Sequence, residues 1–490
     1  MLKVLLVSPE VAPFAKTGGL ADVTGSLPRF LKKLGCDIRV VMPFYPMAKR
    51  PEFHYKLLLE DMEVSLGNLS LKGDIQSSHM EGQIPIYLVQ MDELYDRSDL
   101  YGTPNGDYFD NAERFIFLSK MVFPLCKGIN FQPDIIHCHD WQTALIPAYL
   151  KMVYSADPFF KKTASLLTIH NLAYQGLFER EKFALTGLPP EVNSITSMGY
   201  WKKISFIKAG IVYADIITTV SEKHNQEIQT EEYGYGLQGL LKDRTKDLYG
   251  VINGADYDEW NPETDEFITA HYNIHDLSGK EQCKIDLLKS YNLPMKLKNK
   301  PLLGIISRLA DQKGFDLLAN IIDDLMALDL GLVLLGKGER RYHQFFEGVA
   351  RQYPKKIGIH IGYDNVLAHK TEAGSDIFLM PSRYEPCGLN QIYSLKYGTI
   401  PIVRSTGGLD DTIVQFDPQT GSGTGFKFEK QDALEFLNAI KKALEVYKNK
   451  KAWMQLMKNA MKENFSWEKS APKYMELYEK ALAKRRTSSP

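Results

Sequence analysis

Three short stretches carry cations, a carboxylate and glycines in patterns suited to holding an anion. The first, Ser307-Arg308-Leu309-Ala310-Asp311-Gln312-Lys313-Gly314, sets two cations five residues apart just past an apolar run. The second, Arg383-Tyr384-Glu385-Pro386-Cys387-Gly388-Leu389, places a carboxylate ahead of a glycine-opened helix. The third, Ser405-Thr406-Gly407-Gly408-Leu409, puts paired glycines at another helix start. Glycines there let backbone N–H groups approach an anion, and the helix dipole favours negative charge. Any one of these is weak, because a lysine beside a tight turn is commonly just solvated. Three in one half of the chain are hard to ascribe to chance.

The other half supplies a complementary set. Ala15-Lys16-Thr17-Gly18-Gly19-Leu20 leads into a helix-like stretch, again with a cation and paired glycines. It is neither a P-loop nor GxGxxG, so neither an NTPase nor a dehydrogenase follows. Gly336-Lys337-Gly338 is only half of a dinucleotide fingerprint. His137-Cys138-His139-Asp140-Trp141 and Thr168-Ile169-His170-Asn171-Leu172 each follow an apolar run. Alternation puts His137 and His139 on one strand face, but no third ligand motif accompanies them, which disfavours a metal. A lone His170 would more often be structural than catalytic.

These loops need a scaffold that brings strand ends together. Apolar runs at 4–7, 38–42, 84–89, 135–137, 165–169 and 216–220 alternate with amphipathic helical stretches. The pattern breaks at Asn253-Gly254, Asp256, Asp258 and Asn261-Pro262, then restarts at 302–306, 332–335, 357–361, 377–380 and 400–403. Continuous apolar runs of this length predict parallel strands covered on both faces. The fold class is therefore α/β, a doubly wound plan occurring twice, with ligands at the strand C-terminal ends. The expected division is a Rossmann-like domain over 1–250, a hinge over 251–262, a second such domain over 263–469 and a final helix in 470–490. Tyr474, Leu477, Tyr478 and Leu482 mark one face of that helix, and the basic tail 484–490 is expected to fray.

The 490-residue length suits two domains. Lys+Arg number 59 against 60 Asp+Glu, so no global charge points to nucleic acid or a membrane surface. Five cysteines without a CxxC pair argue against a disulfide framework or structural zinc, and fit a reducing compartment. With no signal-like start and no membrane-length apolar run, a cytoplasmic protein is expected.

Taken in order, KTGGLADV at 16–23, His139-Asp140-Trp141, Thr168-Ile169-His170-Asn171, Asn253-Gly254, Arg308 with Lys313, Glu385-Pro386-Cys387-Gly388-Leu389 and Ser405-Thr406-Gly407-Gly408-Leu409 resemble one family. It is the bacterial glycogen synthase and plant starch synthase group, and the likeness runs from Met1 to about Tyr478. The resemblance implies the GT-B fold, two Rossmann-like domains facing a deep cleft with the last helix crossing back. It implies ADP-glucose as donor, an α-1,4-glucan such as glycogen or a malto-oligosaccharide as acceptor, and retention of the α configuration. It implies no cofactor and no metal at the phosphates, and the sequence has no DxD-like pair placed to bridge one.

Arg308 and Lys313 are assigned to the donor diphosphate, with amides near Cys387, Gly388 and Leu389 and near Thr406, Gly407 and Gly408. Lys16, Gly18 and Gly19 would approach from the first domain. Glu385 and His170 are expected beside the transferred glucose, with Asp140, Asn253, Asn171 and Asp22 on the sugar side. Tyr95 either lines the acceptor side or is a packed aromatic. Alternatives left open are a UDP-glucose, sucrose-type or trehalose-type glucosyltransferase and a catalytically dead glucan-binding scaffold. A phosphorylase would be longer and need a pyridoxal-phosphate lysine.

Overall fold

A computed structural model of the chain describes residues 1–103 and 106–487. The chain forms two compact units, Met1–Gly254 with Trp467–Pro490, and Ala255–Ser466.

The first unit is built on nine strands: β1 (Lys3–Val7), β2 (Asp37–Pro43), β3 (Lys56–Leu66), β4 (Leu69–Met80), β5 (Ile84–Gln90), β6 (Ile135–His139), β7 (Ala164–Ile169), β8 (Ile216–Thr219) and β9 (Leu248–Gly250). Their order across the sheet is β9-β8-β7-β6-β1-β2-β5-β4-β3. Seven of these pair in parallel, and most of their interior positions are apolar and buried, as strands covered on both faces must be. Helix α1 (Gly19–Lys33) follows β1 and buries Val23, Leu27, Phe30 and Leu31 on one face. The sheet order reverses between β1 and β6, so their C-terminal ends flank a topological switch point, where open α/β sheets bind ligands.

The pair β3–β4 is an antiparallel hairpin at the sheet edge with register shifts between Leu57 and Met62. Apolar-run counting passes over it because β3 is largely exposed and its hydrophobic residues do not form a buried block.

The second unit carries β10 (Leu302–Leu309), β11 (Gly331–Gly338), β12 (Ile357–Ile361), β13 (Ile377–Met380), β14 (Ile400–Arg404) and β15 (Phe426–Phe428). All pair in parallel in the order β12-β11-β10-β13-β14-β15, with the reversal between β10 and β13. Helix α2 (Phe315–Ala327) follows β10, α3 (Asn390–Lys396) follows β13 and α4 (Gly407–Thr412) follows β14.

Ala255 and Ser466 lie side by side at the two chain crossings, where the Ala255 N–H donates to the Phe465 carbonyl at 2.7 Å. The closing helix α5 (Trp467–Thr487) belongs to the first unit. Its Trp467 stacks on Phe30 of α1, and Tyr474 and Tyr478 are fully buried. The expected fraying from residue 484 is corrected as far as the helix runs. Lys484 pairs with Asp247, and the largely buried Arg485 donates to the Lys161 carbonyl. The end of the expected tail, residues 488–490, lies outside the described residues. Among the described residues no helix is long and apolar enough to cross a membrane.

Candidate active site

In the second unit, β10 runs two residues beyond Ser307, so Arg308 is the strand's penultimate residue and is exposed. The parallel register sets Lys337 of β11 level with it, a further cation that the half-motif reading had not placed. A tight turn over Asp311–Lys313 then brings Lys313 round. Lys313 Nζ lies 2.6 Å from Glu385 Oε2, and Ser382 Oγ donates to the same oxygen at 3.0 Å. Glu385 is buried, so its carboxylate is held by a cation and a hydroxyl rather than by water. Glu385 occupies one donor of an ammonium that has three.

The approach of these two loops is built into the chain. Gly314 has φ +70°, and a Cβ there would lie 1.9 Å from the Pro381 carbonyl oxygen, so no other residue fits. Gln312 then stitches the loops, with Nε2 donating to the Tyr384 carbonyl at 3.2 Å and its own carbonyl accepting from Arg383 N–H at 2.8 Å. Asn390, at the start of α3, donates to the Ile306 carbonyl of β10 at 2.7 Å. Sequence spacing had flagged neither Gln312, Ser382 nor Asn390. Their partners lie far away in the chain, which leaves no local signal.

The glycine pair at 407–408 works differently from expectation. Gly407 has φ +44°, and a Cβ would lie 2.0 Å from the Glu385 carbonyl oxygen. Gly408 N–H donates to the carbonyls of Glu385 and Pro386, and Thr406 N–H to that of Arg404. The segment is buried. The Thr406 and Gly408 amides are thus spent on backbone carbonyls rather than left for an anion. The pair lets one loop press on the Glu385 loop. By contrast, the Gly388 and Leu389 N–H groups donate to no partner among the described residues. Cys387 is buried beside them. Tyr363, on the loop after β12 at this sheet edge, leaves 75% of its surface exposed. Sequence offers no sign of that exposure.

In the first unit the loop after β1 is organised by Glu10, which the motif reading missed. Its carboxylate accepts from Thr17 N–H at 2.5 Å, Thr17 Oγ1 at 2.6 Å and Tyr101 OH at 2.7 Å. Gly18 N–H faces it too. Burial raises the Glu10 pKa against the pull of those donors. The Gly18 amide expected to meet the donor is therefore directed at a carboxylate. Lys16 Nζ meets Asp22 Oδ1 at 2.6 Å in a partly exposed pair, which adds little stability.

After β6 and β7 the structure gathers His139, Asp140, His170 and Asn171. Asp140 Oδ1 accepts from His170 N–H at 2.7 Å and Asn171 N–H at 3.4 Å. Its own N–H donates to the Thr168 carbonyl at 2.9 Å. Asp140 adopts φ 56°, ψ −173°, a conformation costing of order 1–3 kcal/mol that concentrates at functional sites. Burial pushes its pKa up to about 7. Burial also pushes His137 and His170 down to about 3 and His139 well below its usual range, so these imidazoles are neutral near pH 7. Both His137 nitrogens are engaged, by Tyr478 OH at 2.9 Å and Thr168 Oγ1 at 2.7 Å. No three His, Cys, Asp or Glu side chains are grouped as metal ligands among the described residues.

Asn253 Oδ1 is buried without a partner, and Asn171 Oδ1 accepts from Ala173 N–H at 3.1 Å. Tyr95 is corrected to a core residue. It is fully buried, its ring packs on Tyr45 and Phe117, and its hydroxyl donates to the Arg114 carbonyl at 2.7 Å. It has no surface to offer a sugar.

Comparisons with known proteins agree across the chain. The model of the starch synthase catalytic domain matches residues 3–243, and that of glycosyl transferases group 1 matches residues 294–462. A glycogen synthase of Koribacter versatilis is 46% identical, covering 98% of each chain. One of Thermotoga petrophila is 46% identical over 99% of each. The catalytic domain of starch synthase IV from Arabidopsis thaliana, solved bound to ADP and acarbose, superposes with a TM-score of 0.92 at 33% identity, over 98% of this chain and 99% of that one.

Proposed function

The chain belongs to the glycogen and starch synthase family of glucosyltransferases, and on that premise we propose its finer chemistry: glucose passes from ADP-glucose to the non-reducing end of an α-1,4-glucan with the α configuration retained. Its two doubly wound units are the GT-B fold of that family.

The observation that carries the proposal is the Lys313–Glu385 pair beside Arg308 at the switch point of the second unit. Breaking the bond from sugar C1 to phosphate oxygen leaves a diphosphate that gains negative charge and a sugar that gains positive charge. Arg308 and Lys313 stabilise the first, and the Gly388 and Leu389 amides add fixed dipoles. Glu385, held between Lys313 and Ser382, orients the sugar or stabilises its positive charge. His170 and Asn253 meet the sugar, and Asp140 sets the His170 backbone. Lys16 is assigned to the donor as well. Tyr363 offers an exposed face on which a nucleobase stacks. The ADP bound in the Arabidopsis enzyme favours an adenine donor over UDP-glucose.

A donor panel with glycogen as acceptor, following nucleoside diphosphate release, tests this. ADP-glucose is expected to give the highest kcat/KM. Preference for UDP-glucose would overturn the donor assignment, and absence of glucose incorporation from every donor would overturn the transfer itself.

A further inference from the structure

His139 Nδ1 lies 2.9 Å from His170 Nε2, and both rings are buried. One of these nitrogens carries the shared proton, and the surroundings decide which. The other nitrogen of His139, Nε2, is buried without a hydrogen-bond partner. If His170 Nε2 were the donor, a neutral His139 would carry its proton on Nε2, as a buried N–H with nothing to donate to. If His139 Nδ1 is the donor, the atom left over is only an unpaired acceptor. Orphaned buried N–H groups are the rarer and costlier of the two.

We infer that His139 is a positioning residue: it donates through Nδ1 to His170 Nε2 and so holds His170 as the Nδ1–H tautomer, a neutral donor facing the transferred sugar. The inference rests on the reading that His170 meets the donor glucose. His170 Nδ1 has no hydrogen-bond partner among the described residues and is not sealed from solvent. That leaves its proton available to a sugar hydroxyl, where an Nε2–H tautomer would present a bare lone pair instead.

The rest of the packing keeps His139 in place. Its ring lies 4.2 Å from that of His137, centroid to centroid. His137 is itself pinned by Tyr478 of α5 and by Thr168 of β7, whose hydroxyl also meets Thr218 Oγ1 at 2.6 Å. The buried chain therefore runs from the closing helix through two packed imidazoles to the site. Neutrality of all three rings, which burial enforces, is what makes tautomer rather than charge the controlling variable.

The test is the nitrogen-15 spectrum of the full-length enzyme labelled at histidine, with the His170 signals assigned by their loss in His170→Ala. The wild type is expected to show protonated Nδ1 and bare Nε2 at His170; the reverse overturns the inference. His139→Leu removes the donor at similar volume. It is expected to lower kcat about 10²-fold with donor KM changed far less, as misoriented groups do, and to leave the His170 proton shared between Nδ1 and Nε2 rather than confined to Nδ1. His139→Asn, whose amide nitrogen can take the place of Nδ1, is expected to restore the tautomer and most of the turnover. Wild-type tautomer and turnover in His139→Leu would sink the proposal. Unchanged kcat in His170→Ala would instead sink the reading on which it rests, and the two failures are distinct.

Discussion

In the roles proposed for them, the two loop clusters solve different problems with opposite physics. In the second unit the working groups are charged: Arg308 is exposed, Lys337 stands in register beside it, and Lys313 grips a buried carboxylate. In the first unit they are buried: three neutral imidazoles and a carboxyl lifted to about 7, tied by hydrogen bonds as short as 2.7 Å. A leaving diphosphate needs positive potential, which tolerates imprecise placement because Coulomb attraction falls off slowly. A sugar ring needs donors and acceptors aimed at particular hydroxyls, which only rigid packing supplies. The difference teaches that one half should answer to charge and the other to geometry.

The largest expected effect lies on the charged side. Lys313→Ala should lower kcat/KM for the donor about 10²–10³-fold, since it removes a cation and strands the Glu385 carboxylate. Arg308→Ala should fall at the lower end of that range, its guanidinium being solvated. Steady-state kinetics at saturating glycogen checks both, and near-normal turnover in both would erase the contrast. On the geometric side, Asp140→Ala should cost about 10²-fold in kcat, while Asp140→Asn, which keeps an acceptor for His170 N–H, should cost much less. Added salt sharpens the comparison. It should raise the donor KM of the wild type, by screening Arg308, and leave the ratio of Asp140→Ala to wild type unchanged.

A smaller effect separates the units by pH. In the first unit His137, His139 and His170 have pKa values below the ordinary 6.5 because of burial. The unfolded chain therefore binds more protons, and their contribution to stability is lost as pH falls through about 6.5. Asp140 and Glu10, raised by burial, oppose this in part, because the folded state binds their protons first. In the second unit burial lowers the pKa of His369, but a hydrogen bond to Asp265 and the Glu259 carboxylate 3.9 Å from Nε2 more than offset it and leave the net shift upward. Glu372 is pushed up to about 8 by burial. Both contributions are present at low pH and fade as pH rises. Acidification from about pH 7 to about pH 5 should thus reduce amide-exchange protection in the first unit relative to the second. Equal loss in both would contradict the assignment of neutral imidazoles. The smallest expected effect is Tyr95→Phe. It should leave kcat unchanged and cost about 1 kcal/mol in thermal unfolding, for one lost hydrogen bond.

Much of this was legible in the chain itself. The apolar runs, the turn-rich break near Asn253 and the loops at 16–20, 307–314 and 385–389 all carry local signals: a period, a glycine, a cation near a strand end. Less legible was what those residues touch. The glycines at 407–408 read as an anion cradle, yet the Gly408 amide is spent on Glu385 and Pro386 carbonyls. Gly18 reads the same way and faces Glu10. Tyr95 sits near the right motifs but inside the core.

Residue type and spacing by themselves determined the doubly wound class, the repeat of that plan and the family, because strand period, helix starts and glycine loops are properties of neighbouring residues. Only the tertiary structure decided the order of strands, the meeting of Lys313 with Glu385 across 72 positions and the link from His137 to Tyr478 across 341. Burial and hydrogen-bond partners, which set charge and tautomer, come from parts of the chain that sequence spacing does not connect.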